Sequence, residues 1–169
     1  DLVTGTTRAV RDLDHSALII QGPPGTGKTY TTARAIVALL RDGKRVAVSS
    51  NSHKAINNLL GAISKHAESV GYPLKAIKKS SAGAPDSIFE GYGVRSTHRL
   101  ELDDQYDLLG ATAFELAKHG LNSFDYLFVD EAGQVSLGNL AAMAPCARNL
   151  VLVGDQMQLP QPVQGVHPG

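Results

Sequence analysis

No stretch of the chain restricts its fold more than Gly22-Pro23-Pro24-Gly25-Thr26-Gly27-Lys28-Thr29. These eight residues fit G-x-x-x-x-G-K-[ST] between an apolar run at 17–20 and a stretch of helical periodicity. The glycines admit backbone angles closed to other residues, so successive N–H groups can turn inward onto phosphate oxygens. A helix starting at Lys28 adds the partial positive charge of its N-terminus. In that geometry Lys28 reaches the β- and γ-phosphates of a bound nucleotide and the Thr29 hydroxyl ligates Mg²⁺. A glycine-rich turn with an incidental lysine is the plain alternative, and the strand and helix flanking the loop argue against it.

The rest of the chain keeps the same alternation of apolar runs and helical patterns, the signature of a parallel sheet with helices on both faces. Ala33, Ile36, Val37 and Leu40 recur at i, i+3, i+4 and i+7, which predicts a helix over 28–41 that stops at Asp42-Gly43. A strand at 45–49 follows. Ser52 then caps a helix whose buried face is Ala55, Ile56, Leu59, Leu60 and Ile63. Residues 71–104 lose this clarity and read as a mostly irregular insertion with one short strand at 74–78. Within them Lys75, Lys78 and Lys79 suggest a solvated face, or a contact to nucleic acid. Strands at 106–109, 126–129 and 150–153 complete the sheet, and a helix within 136–144 stops at Pro145. The fold class is therefore α/β, and 169 residues provide for a single domain.

The strand at 126–129 ends in Asp130-Glu131. Two carboxylates closing an apolar strand are expensive unless something binds there. In a parallel sheet ligands sit at the carboxyl ends of strands, where the glycine-rich loop also opens. Asp130 is then the second holder of Mg²⁺, and Glu131 orients and polarises the attacking water. A solvated strand end is the bland reading. Both motifs together point to an NTPase using ATP and Mg²⁺.

Composition limits the remaining choices. Sixteen basic residues balance sixteen acidic ones, so tight binding of nucleic acid by charge alone is not expected. Six histidines show no zinc-ligand spacing, and no structural metal is predicted. The single cysteine, Cys146, excludes an internal disulfide and suits a reducing, cytoplasmic setting. No apolar run approaches the ~20 residues that span a bilayer, so no membrane contact is expected. The chain opens at Asp1 without a methionine and stops at Pro168-Gly169, which reads as an excised fragment.

The phosphate loop alone is common to superfamily 1 helicases and AAA+ ATPases. The run Gly154-Asp155-Gln156-Met157-Gln158-Leu159-Pro160 resembles helicase motif III, and Asp130-Glu131-Ala132-Gly133-Gln134 resembles the D-E-A-x-Q form of motif II in superfamily 1B. Residues 49–55 resemble motif Ia, and Gly110-Ala111-Thr112 resembles motif Ic. In order, these motifs cover nearly the whole chain outside 71–104. The likeness is to the helicases of DNA replication and nonsense-mediated decay, and more narrowly to the helicase half of bacterial proteins fused to a RecB-like nuclease. No nuclease motif is visible.

This resemblance implies a first RecA-like domain over 1–169, whose second RecA-like domain is missing. It implies a motor that translocates on single-stranded DNA or RNA, bound weakly by this piece alone. Gln156 would touch the γ-phosphate and act with Lys28 and Glu131 in catalysis, and Gln134 would link motif II to motif III. Tyr30 joins Gly22–Thr29 and Gln134 in the nucleotide-binding set. Ser50, Asn51 and Thr112 would contact the phosphodiester backbone, although a turn and helix cap explains Ser50 and Asn51 equally well. The family's base-reading glutamine, ~17 residues before the loop, is replaced by Gly5 and Thr6, which leaves recognition of adenine open. An AAA+-type remodelling ATPase and a non-catalytic nucleotide-binding module are the alternatives.

Overall fold

Residues 1–155 are described by a computed structural model. Seven strands form one sheet: β1 (Ala17–Gln21), β2 (Val46–Ser49), β3 (Ala76–Lys79), β4 (Val94–Thr97), β5 (Leu108–Gly110), β6 (Phe124–Val129) and β7 (Ala147–Gly154). Their order is β1-β7-β6-β2-β5-β3-β4, and every pairing is parallel. Parallel neighbours need crossover connections, and these carry the helices onto the faces of the sheet.

One face holds α1 (Leu2–Arg11), α2 (Lys28–Arg41) and α3 (His53–Ser69). Val46, Val48, Phe128, Val151 and Val153 meet them there, joined by Ile36, Leu39, Ile56 and Leu59. The other face is covered by α4 (Ala113–Leu116) and α5 (Leu137–Met143). Ala47, Ile77, Leu109, Leu127 and Val129 pack there with Leu116 and Met143. The alternation Val46/Ala47/Val48 along β2 is the period-two reversal of a strand buried on both sides.

Helix α2 has the bounds its periodicity predicts. It ends at Asp42 with Gly43 at φ 77°, the left-handed stop. Ser52 caps α3, accepting a hydrogen bond from the Ala55 amide at 3.2 Å. Helix α1, which periodicity did not predict, is capped by Asp1 and tied down at its far end. There Arg11 makes two hydrogen bonds to Asp42, and the Tyr126 hydroxyl donates to the Val10 carbonyl at 3.0 Å.

Residues 71–104 are more ordered than their composition suggests. They supply β3 and β4, so the sheet extends two strands beyond β5. Side chains of α3 staple the segment: Asn57 donates to the carbonyls of Asp86 and Ile88, and Ser64 donates to that of Tyr92. Lys78 is not on a solvated face. It is fully buried, with its ammonium donating to the Ser87 and Lys79 carbonyls and to His53 Nδ1.

Candidate functional site

The segments that follow β1, β2, β5, β6 and β7 all leave the same edge of the sheet, because all strands run the same way. Strand order places β6 and β7 between β1 and β2, so the first crossover skips two strands, and in open α/β sheets ligands bind at the carboxyl ends of strands where the order changes in this way. Among the described residues, the phosphate loop, the acidic pair, Ser50–Asn51 and Thr112 lie on this edge; of the motif that begins at Gly154, residues from 156 on lie outside the described residues.

After β1 the chain enters residues 22–27. Gly25 and Gly27 both take φ 80°, closed to most side chains. A side-chain carbon at Gly22 would lie 2.9 Å from Thr26 Oγ1, and the Gly22 amide donates to the Gly154 carbonyl at 3.3 Å. Thr26 Oγ1 donates to the Pro23 carbonyl at 2.8 Å. Lys28 folds back on its own loop and donates to the carbonyls of Gly22 and Pro23. Gly27 caps α2 without a side-chain acceptor, which leaves the first amides of a 14-residue helix open to an anion. Thr29 is exposed, and its hydroxyl makes no hydrogen bond among the described residues.

Asp130 and Glu131 follow β6. The Asp130 amide donates to the Ser49 carbonyl at 2.9 Å, extending the β6–β2 ladder by one rung. Burial lifts the Asp130 carboxyl above the usual carboxylate range. The Glu131 amide, donating to Oδ1 at 2.9 Å, and the Lys28 cation draw it down, while the Glu131 charge adds to the rise. A desolvated carboxylate beside a cationic loop gains from a further cation. Glu131 sits in the left-handed region, at φ 49° and ψ 44°, where a residue with a side chain loses about 1 kcal/mol. The following turn lies close against the end of β7, and a side-chain carbon at Gly154 would stand 3.5 Å from the Ala132 amide nitrogen. Asp155 is buried next to it, whereas Gln156 lies outside the described residues.

The residues present fit Mg²⁺. Thr29 offers a hydroxyl and Asp130 a carboxylate, the few hard oxygen donors that Mg²⁺ takes when phosphates and water complete its shell. The described residues contain no cluster of three or more His, Cys, Asp or Glu that would hold a metal by themselves.

Ser50, Asn51 and Thr112 come together with Gln134, Ser136 and Asn139 around a pocket of about 180 Å³. Ser50 is buried, and its hydroxyl donates to the Asp130 carbonyl at 2.8 Å. Asn51 Nδ2 donates to Gln134 Oε1 at 2.9 Å. Gln134 was grouped with the nucleotide by sequence, and its amide here meets motif Ia. Tyr30 lies in the first turn of α2, its ring beneath the Arg34 guanidinium in a groove that Ala62, Lys65 and His66 also line. Sequence reading missed Phe114, which borders the pocket. The available signal was an aromatic two residues past Thr112.

The sheet order, the glycine loop and the acidic pair define an α/β P-loop NTPase domain of the RecA-like kind. A protein-family profile described as an AAA domain matches residues 4–167. The chain belongs to that family, and its motif order and its relatives place it with the ATP-binding domains of superfamily 1 helicases. It is 32% identical to DNA replication ATP-dependent helicase/nuclease JHS1 of Arabidopsis thaliana, in a match covering 86% of this chain and 11% of that protein. To helicase/nuclease DNA2 of Gallus gallus it is 30% identical, over 90% of this chain and 16% of the relative. For DNA2 of Homo sapiens the figures are 32%, 84% and 14%. The chain thus spans about a tenth to a sixth of the length of these relatives. Among solved structures, a nuclease-deletion mutant of the Type ISP restriction-modification enzyme LlaGI, in complex with a DNA substrate mimic, shares the fold. Its TM-score is 0.52 at 19% identity, over 93% of this chain and 17% of that one. No helix among the described residues is long and apolar enough to cross a membrane.

Proposed function

We propose that this chain is the first motor domain of a superfamily 1 helicase, binding ATP with Mg²⁺ and coupling its hydrolysis to movement along single-stranded nucleic acid. One observation carries the reading. The phosphate loop and the carboxylates after β6 open on the same sheet edge as the Ser50–Asn51–Thr112 pocket, and β6 is the hydrogen-bonded neighbour of β2.

In this mechanism the triphosphate takes the place of the Gly22 and Pro23 carbonyls on the Lys28 ammonium, while loop amides and the α2 N-terminus receive phosphate oxygens. Thr29 and Asp130 would hold Mg²⁺, which when bound would supply charge neutralisation for the transferring phosphoryl group. Glu131 orients the attacking water and takes its proton. Gln156 is assigned to the γ-phosphate. Ser50, Asn51 and Thr112 hold the phosphodiester backbone through neutral donors, which suits a chain of zero formal net charge. A second RecA-like domain closes the cleft and supplies the transition-state arginine, worth about 10³–10⁵ in rate, so this chain alone hydrolyses very slowly. The parent protein also carries a nuclease domain, a reading supported by the helicase/nuclease relatives.

Joining the chain to its downstream domain and measuring ATPase rate with and without single-stranded DNA tests the proposal. Strand-stimulated turnover is expected. Nucleotide-driven assembly into rings with no stimulation would favour the AAA+ remodelling alternative, which the family's description keeps in view. Nucleotide binding without turnover in either condition would make the chain a binding module.

A further inference from the structure

We propose that Phe114 is a stacking platform for a base of the single strand whose backbone crosses the Ser50–Asn51–Thr112 pocket, an inference that rests on the reading of that pocket as a nucleic-acid contact. Phe114 is the second residue of the four-residue helix α4 and leaves 77% of its surface exposed. A lone exposed apolar side chain needs no explanation. What distinguishes this one is its setting. The ring borders a pocket otherwise made mainly of hydroxyl and amide side chains, where the Thr112 hydroxyl makes no hydrogen bond among the described residues.

Lys118 Nζ stands 4.5 Å from the ring centroid. The ammonium covers one face of the ring and is itself paired with Glu115 at 3.1 Å, so the platform offers a base the ring's other face, with a cation behind it. Neutral donors on one side receive phosphodiester oxygens, and the flat apolar face beside them receives what a phosphodiester chain carries next to its phosphates. In a duplex the faces of the bases are already stacked on each other, so only a single strand can offer one to Phe114. A protein partner fits less well. The buried centre of a protein interface is a contiguous apolar patch, whereas among the described residues Val135 is the only other apolar side chain larger than alanine bordering this pocket. Stacking on any base is sequence-tolerant, so the platform adds affinity for single strands and does not read sequence.

The test uses fluorescence anisotropy with two labelled probes of equal length, oligothymidylate and an abasic oligomer with the same phosphates and no bases. The proteins are the unaltered chain, Phe114→Ala and Phe114→Tyr, with thermal unfolding confirming that each is folded. Phe114→Ala is expected to weaken oligothymidylate about tenfold and to leave the abasic oligomer unchanged, and Phe114→Tyr to stay within about twofold of the original. Equal affinity of Phe114→Ala for oligothymidylate would overturn the stacking role and leave the nucleic-acid face intact. Equal losses on both probes would overturn it too, because the ring would then act on the fold. In a parallel titration with the downstream domain, a loss in Phe114→Ala while both probes bind as before would overturn the stacking role and assign Phe114 to a protein contact. If the unaltered chain bound neither probe, the stacking role and the nucleic-acid reading of the pocket would both fall.

Discussion

Replacing Lys78 with methionine should change how the stability of this chain responds to alkaline pH. The Lys78 ammonium is fully buried between β5 and β4, with two carbonyls and an imidazole nitrogen as partners. It appears in none of the ion pairs among the described residues. Burial pushes its pKa from 10.5 down to about 8, and the neighbouring Lys79 charge adds to the fall. Below pH 8 both the folded and unfolded chains carry the proton, and the folded chain bears the full penalty of a desolvated charge. Between pH 8 and 10.5 the unfolded chain keeps a proton that the folded chain has released, so stability from this group rises with pH. Linkage makes that rise about 2–3 kcal/mol between pH 7 and pH 10. Methionine fills a similar volume and does not titrate. Urea unfolding followed by far-UV circular dichroism, at unit steps from pH 7 to 10, yields the stability difference between the original chain and Lys78→Met. Taking the difference cancels groups that titrate alike in both, and it should grow by about 2–3 kcal/mol in favour of the lysine chain. A difference that is flat, or that shrinks as pH rises, would refute the buried-cation account.

The remaining expectations concern the sheet edge. Lys28→Ala should abolish binding of MgATP measured by calorimetry, whereas Glu131→Gln should keep binding and lose turnover; normal affinity in the first variant contradicts the phosphate-loop assignment. The Asn51–Gln134 hydrogen bond should appear in a double-alanine cycle as a coupling of about 0.5–1.5 kcal/mol in chemical denaturation. Additivity within error would mean the bond contributes nothing in solution. Glu131→Gly should raise stability by about 1 kcal/mol while turnover disappears, and a lower melting temperature would show that the left-handed backbone there is unstrained. His53, held below its ordinary pKa by burial and by the Lys78 charge, should contribute stability that is lost as pH falls below 6.5. In Lys78→Met that acid loss should shrink in a urea series run from about pH 7 down to about pH 5, and an unchanged acid limb would contradict the pairing.

The parts of this fold that were legible in sequence are those fixed by nearby residues. Helix α2 is announced by four apolar positions and closed by Asp42-Gly43, and α3 by Ser52, all within a turn of where they act. Strand β4 was not visible because Val94–Thr97 has a half-exposed pattern and draws its order from partners distant in sequence, namely the β3 ladder and α3 side chains. The insertion's lysines read alike by composition, yet only the sheet decides that Lys78 points inward. Helix α1 contains Gly5 and three threonines, poor helix formers, and is held by Arg11–Asp42 and Tyr126, contacts made across the fold. At the candidate site the motifs located the loops after β1 and β6, because glycine, lysine and carboxylate patterns are local. Which side chains meet was another matter: the Asn51–Gln134 contact spans 83 residues, and Phe114 carries no motif.

Residue 131 is a place where two demands on one position disagree. The peptide path there favours glycine or asparagine, yet the chain supplies a longer acid. A screen of its variants for heat resistance and a screen for turnover should therefore rank them in opposite order. Redesign guided by folding alone would single out this position for improvement, and in doing so would remove the carboxylate proposed to activate the attacking water.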